Sequence, residues 1–166
     1  MKKLLLILSL FLSLNTFSQS IIAPPETPSD ELLLAYRALK CFIDDDELTV
    51  MLQPFIPLNK NMHGLTKQYH KNLYIISISD QIHNKIIRKW VLLHEIGHII
   101  DFHNGTLTKF PLTWKGAPIN PNLDWIDRPW EQSAEEWATI MWQVLEDSPP
   151  PVHIYKKIPS DTLKTK

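Results

Sequence analysis

Trp90-Val91-Leu92-Leu93-His94-Glu95-Ile96-Gly97-His98-Ile99-Ile100-Asp101 reads as a helix that is apolar almost all round yet carries two histidines and a glutamate at its centre. Residues four apart share a helix face, so His94 and His98 can hold one metal ion between them. Glu95, turned by about 100° at ~3.6 residues per turn, lies beside that ion and can take a proton from water. A solvated outer face does not account for these side chains. Trp90 to Leu93 and Ile99-Ile100 mark the helix as buried, and polar groups on a buried helix need partners. Two imidazoles with a carboxylate beside them suit zinc and a hydrolytic chemistry.

A catalytic zinc takes three protein ligands and keeps one position open, so a third side chain is needed. Trp130-Glu131-Gln132-Ser133-Ala134-Glu135-Glu136-Trp137-Ala138 supplies candidates on a second helix. Its apolar positions Ala134, Trp137, Ala138, Met141 and Leu145 repeat at helical spacing, with Asp127 as the expected cap and Pro129 in the first turn. Glu131 and Glu135 share a face: one can ligate the metal while the other hydrogen-bonds the free nitrogen of a ligating imidazole. Glu136 points off that face, toward solvent.

With both segments in this order, the chain resembles the gluzincin zinc metallopeptidases, in which HExxH on one helix is followed by a glutamate on a second and an acid four residues later. The form of Glu131 to Ala138 looks most like the catalytic helix of lethal-factor-type and ImmA/IrrE-type peptidases. Carried over residue by residue, the resemblance makes His94, His98 and Glu131 the ligands of Zn2+, Glu95 the general base and Glu135 the acid that orients an imidazole. It covers about Trp90 to Asp101 and Pro129 to Ala138. No Tyr lies between the two helices to donate to an oxyanion. His103 is the candidate for that role, and capping of the helix end is its alternative.

At the N-terminus, Lys2-Lys3, the apolar run Leu4 to Leu14 and the small-x-small site Thr16-Phe17-Ser18 read as a secretory signal over residues 1–18, cleaved after Ser18. That implies a secreted or periplasmic protein. The run is too short to span a bilayer of ~30 Å, so no membrane association is expected after cleavage. A formal net charge of −1 gives no reason to expect nucleic acid as a partner. The single cysteine, Cys41, has no internal disulfide partner and is expected to pack on a helix. Nothing in the sequence sets an oligomeric state.

The remaining organisation is expected to be a linker over 19–28, one metallopeptidase-like domain over 29–155 and a flexible, Lys-rich tail over 156–166. Ser29-Asp30-Glu31 caps a first helix carrying Leu32, Leu33, Tyr36, Leu39 and Phe42. Asp44 to Glu47 is expected to open a second short helix ending before Pro54. Leu73 to Ser79 is β-branched and aromatic enough to be a strand bordering the cleft, with a hairpin partner within Pro57 to Lys67 and Gly64 at the bend. The metal-binding helix is placed from about Gln81 to Phe102. Asn104 to Arg128 reads as a loop packed beside the site, and Pro149-Pro150-Pro151 as the end of the last helix. His63, His70, His83 and His153 lack ligand-like spacing and read as surface or structural residues.

The expected fold class is therefore α+β: a small zincin-like domain, mostly helical, with a short β-sheet beside the HExxH helix. The expected activity is hydrolysis of peptide or protein substrates by a zinc-activated water, with Glu95 as base. Two alternatives share these residues. One is a non-catalytic, zinc-stabilised module that binds a partner through its Trp-rich segment; the other is an effector or toxin protease of narrow specificity.

Overall fold

The computed structural model describes residues 19–43, 45–59, 61–120 and 122–146. The segment read as a secretory signal, the proline triplet, His153 and the Lys-rich C-terminal residues lie outside them. Among the described residues the chain folds as a small α+β domain with a mixed sheet of β1 (Ser20–Ile22), β2 (Thr49–Ile56), β3 (Gly64–His70) and β4 (Leu73–Ser79) in the order β1-β2-β4-β3. The helices are α1 (Ser29–Phe42), α2 (Lys85–His103) and α3 (Pro129–Leu145). A second, small antiparallel sheet joins β5 (Leu107–Lys109), β6 (Leu112–Trp114) and β7 (Ala117–Pro118). No helix among the described residues is long and apolar enough to cross a membrane.

Thr49 to Ile56 differs from expectation: it is a strand, not a helix. Val50, Leu52 and Pro54 are buried and alternate with the less buried Met51 and Gln53, the period of two that a half-buried strand requires. Glu47 N–H donates to Asp45 Oδ1 at 2.9 Å, so Asp45 to Glu47 makes a turn ahead of β2, and Asp44 lies outside the described residues. Pro54 is tolerated because β1 pairs only with Thr49, Val50 and Met51, so among the described residues no strand pairs with the Pro54 end of β2 on that side. The segment read as a linker likewise contributes β1, which runs parallel to β2.

β3 and β4 form the expected hairpin, but its turn is at Lys71-Asn72 and Gly64 begins β3 instead of bending the chain. β4 lies between β2 and β3, so among the described residues the edge strands of this sheet are β1 and β3, and β3 is the one that meets Glu95 of α2. The antiparallel pairing of β3 sets it apart from the parallel β1, β2 and β4. Cys41 is an exposed residue of α1.

α2 begins at Lys85, later than Gln81, because Asn84 Oδ1 accepts from the N–H groups of Ile86 and Ile87 at 2.9 and 3.2 Å. From Trp90 to Asp101 every residue of α2 is buried. Val91, Leu92, Leu93, Ile96, Ile99 and Ile100 pack in one core with Leu34, Ala38 and Leu39 of α1, Val50, Leu52, Tyr74 and Ile76 of the sheet, and Ala138 and Met141 of α3. The start of α2 is fixed by a buried ion pair. Arg88 donates from Nε and Nη2 to the two carboxylate oxygens of Glu31 at 2.6 and 3.0 Å, and from Nη1 to Ser79 O at 3.3 Å. A charge so enclosed is tolerated because each partner satisfies the other bidentately.

Candidate metal centre

Gly97 explains how α3 reaches the histidines. A Cβ at this position would lie 2.9 Å from both the Cα and the carbonyl oxygen of Ala134, so the missing side chain lets the two helix backbones meet. α3 begins at Pro129 after the 3-10 turn Trp125–Asp127, with Arg128 at the cap position where Asp127 was expected. Proline suits a first helical position, whose N–H has no helical partner. Glu131 then falls in the first turn of α3, directly over α2, where the helix dipole also favours a carboxylate. Replacement of Gly97 by Ala should cost about 1–3 kcal/mol of stability by forcing the helices apart. Denaturant unfolding of metal-free protein measures this, and the same variant should bind metal more weakly because Glu131 moves away with α3.

Three side chains converge. Glu131 Oε2 stands 3.2 Å from His94 Nε2 and 3.4 Å from His98 Nε2, and the imidazole rings lie 4.9 Å apart at 90° to each other. One ligand atom from each of His94, His98 and Glu131 lies within 4.8 Å of the others, and this group could hold a metal ion. Two imidazole nitrogens and a carboxylate oxygen form a donor set suited to a divalent transition metal. His94 and His98 are 3% and 9% exposed, so the bulk of solvent is already removed from the ligands.

The neighbours of the trio divide the remaining tasks. His94 Nδ1, on the ring edge away from Glu131, meets Glu135 Oε2 at 3.3 Å. Burial favours a neutral His94, but hydrogen bonding to Glu131 and Glu135 and the charge of Glu95 outweigh it and hold its proton well above the ordinary histidine range. Burial likewise opposes ionisation of Glu131, and the two imidazoles overcome it and keep this carboxyl well below the usual carboxylate range. A metal that binds here therefore displaces a proton. Trp125 stacks on His94, with ring centroids 6.4 Å apart at 28°.

Glu95 is 5% exposed and lies between α2 and β3. Thr66 Oγ1 is 2.7 Å from Glu95 Oε2 and 2.9 Å from the Glu95 carbonyl oxygen. With one proton to give, the hydroxyl serves the charged carboxylate better. Gly64, two residues earlier on β3, is needed because a Cβ there would lie 2.8 Å from Glu95 Cδ. Glycine and threonine on the edge strand thus make the slot in which this carboxylate sits.

His103 stands apart from the trio. It ends α2 and faces Asp45 with Nδ1 3.8 Å from Oδ2, so its reading as an oxyanion donor is set aside. A position five residues beyond His98 is rotated well away from the ligand face. Glu136 is exposed, as are His70 and His83, while His63 is partly buried. Thr66 and Trp125 had no assigned role in the sequence, since their proximity depends on strand pairing and on the path of the 104–128 segment. The segment itself carries β5, β6, β7 and the 3-10 turn where a loop was expected. The chain matches no protein-family model, no curated protein and no solved structure.

Proposed function

We propose that this chain is a secreted or periplasmic zinc-dependent peptidase. The observation that carries the reading is the convergence of His94 Nε2 and His98 Nε2 of α2 with Glu131 Oε2 of α3, while Glu95 is next to His94 on α2 and its charge acts on that imidazole. His94, His98 and Glu131 would hold zinc, which when bound acidifies water and polarises a carbonyl oxygen. Glu95 takes the proton of the attacking water and delivers it to the leaving amine, so no covalent enzyme intermediate is needed. Thr66 holds Glu95 in place through its hydroxyl, and Glu135 fixes the ring of His94.

The open edge of β3 gives an extended peptide a place to pair. Thr66 places that edge against the general base. Toward the far end of β3 Lys109 Nζ donates to Gln68 O at 2.9 Å, so that carbonyl is already taken. This arrangement supports a peptide or protein substrate in extended conformation.

The test is cleavage of a broad peptide library by zinc-loaded mature protein, with and without a chelator. Cleavage that stops on chelation and returns with zinc is the expected result. A protein that binds zinc and cleaves no member of the library would instead support a zinc-stabilised binding module.

A further inference from the structure

We propose that Asp101 is the positioning residue of His98: through one bridging water its Oδ2 accepts the hydrogen bond relayed from the Nδ1–H of that imidazole, which leaves Nε2 unprotonated for the metal. This rests on the zinc-centre reading above and adds a residue to it. His94 already has such a partner, Glu135, on its Nδ1. His98 has none among the described residues, for its Nδ1 is buried and makes no hydrogen bond with any of them.

Asp101 carries the complementary vacancy. It is 3% exposed, and its Oδ2 is also buried without a partner. His98 and Asp101 are three residues apart on α2 and therefore neighbours on one face. The other carboxylate oxygen, Oδ1, is taken by two donors from α3, Ser133 Oγ at 3.1 Å and Trp137 Nε1 at 3.3 Å. Those donors fix the carboxylate and leave Oδ2 over for α2. A ligating imidazole ordinarily donates its second N–H to a carboxylate, a carbonyl or water. Because neither atom has a direct partner, one bridging water completes the pair. The same carboxylate then ties both helices of the site together, its Oδ1 to α3 and its Oδ2 to a ligand of α2.

Two substitutions separate this role from that of a helix clamp. In Asp101→Asn the amide oxygen can still accept from Ser133 and Trp137, but the amide NH2 turns donors toward the bridging water, which then loses the acceptor that holds it under Nδ1–H. In Ser133→Ala the carboxylate stays and only the clamp is weakened. Zinc affinity of the metal-free full chain, measured by chelator competition, should fall about 10- to 100-fold in Asp101→Asn and little in Ser133→Ala. Thermal unfolding of the metal-free proteins should show the opposite order. In zinc-loaded wild type, 15N NMR of the histidines should show His98 protonated on Nδ1, with that proton protected from exchange; a rapidly exchanging proton overturns the proposal even if Asp101→Asn does not fold. Equal zinc affinity in wild type and Asp101→Asn also overturns it, as does an equal loss in both variants. A wild type that binds no zinc refutes the metal reading itself.

Discussion

Glu95→Gln should retain zinc and lose peptide hydrolysis by about 10²-fold or more, because the amide preserves size and hydrogen bonding but removes the proton acceptor. The substitution is well suited to the site. Thr66 can still donate to an amide oxygen in place of Glu95 Oε2, so the side chain keeps its slot between α2 and β3. Single-turnover cleavage of a library-derived peptide, with zinc content measured on the same sample, checks the result. Unchanged turnover at full zinc occupancy would remove Glu95 from the mechanism.

Glu131→Ala should abolish stable zinc binding at stoichiometric metal, as should His94→Ala. Each variant leaves two protein ligands where a catalytic zinc takes three. Glu135→Ala should be milder, a loss of about 10- to 100-fold in affinity, since Glu135 touches the far nitrogen of His94. Elemental analysis after dialysis distinguishes the two glutamates. Full occupancy in Glu131→Ala together with loss in Glu135→Ala would reverse their roles.

The centre was more legible in the sequence than the sheet was. Four-residue spacing on a helix is a local rule, and it brought His94 to His98 and Glu131 to Glu135 without any knowledge of the fold. Gly97 stood inside the motif, yet its use as the contact with Ala134 depends on which helix packs there. Asp101, three residues past His98, was within reach of the same local rule; that its Oδ1 is claimed by Ser133 and Trp137 was not.

β2 was missed for a physical reason. An acidic run followed by Leu48, Thr49 and Val50 has both a helix-start signal and β-branched residues, and Pro54 reads against a central strand. Tertiary structure resolves the conflict, because β1 pairs with β2 only as far as Met51, and among the described residues no strand pairs with Pro54 on that side. Within the 104–128 segment, each strand of the small sheet is only two or three residues long, too short for any periodicity to register. Trp125 accordingly reached His94 by a path no local pattern specifies.

X-ray absorption at the zinc edge of the purified, zinc-loaded protein tests the central claim most directly. The account predicts about one zinc per chain with two imidazole nitrogens and at least one carboxylate oxygen at roughly 2.0–2.2 Å, and no sulfur ligand. The imidazole signal should halve in His98→Ala if the protein still retains metal. A chain that takes up no zinc, or one whose zinc has sulfur or a single imidazole in its first coordination shell, would contradict the His94, His98 and Glu131 centre.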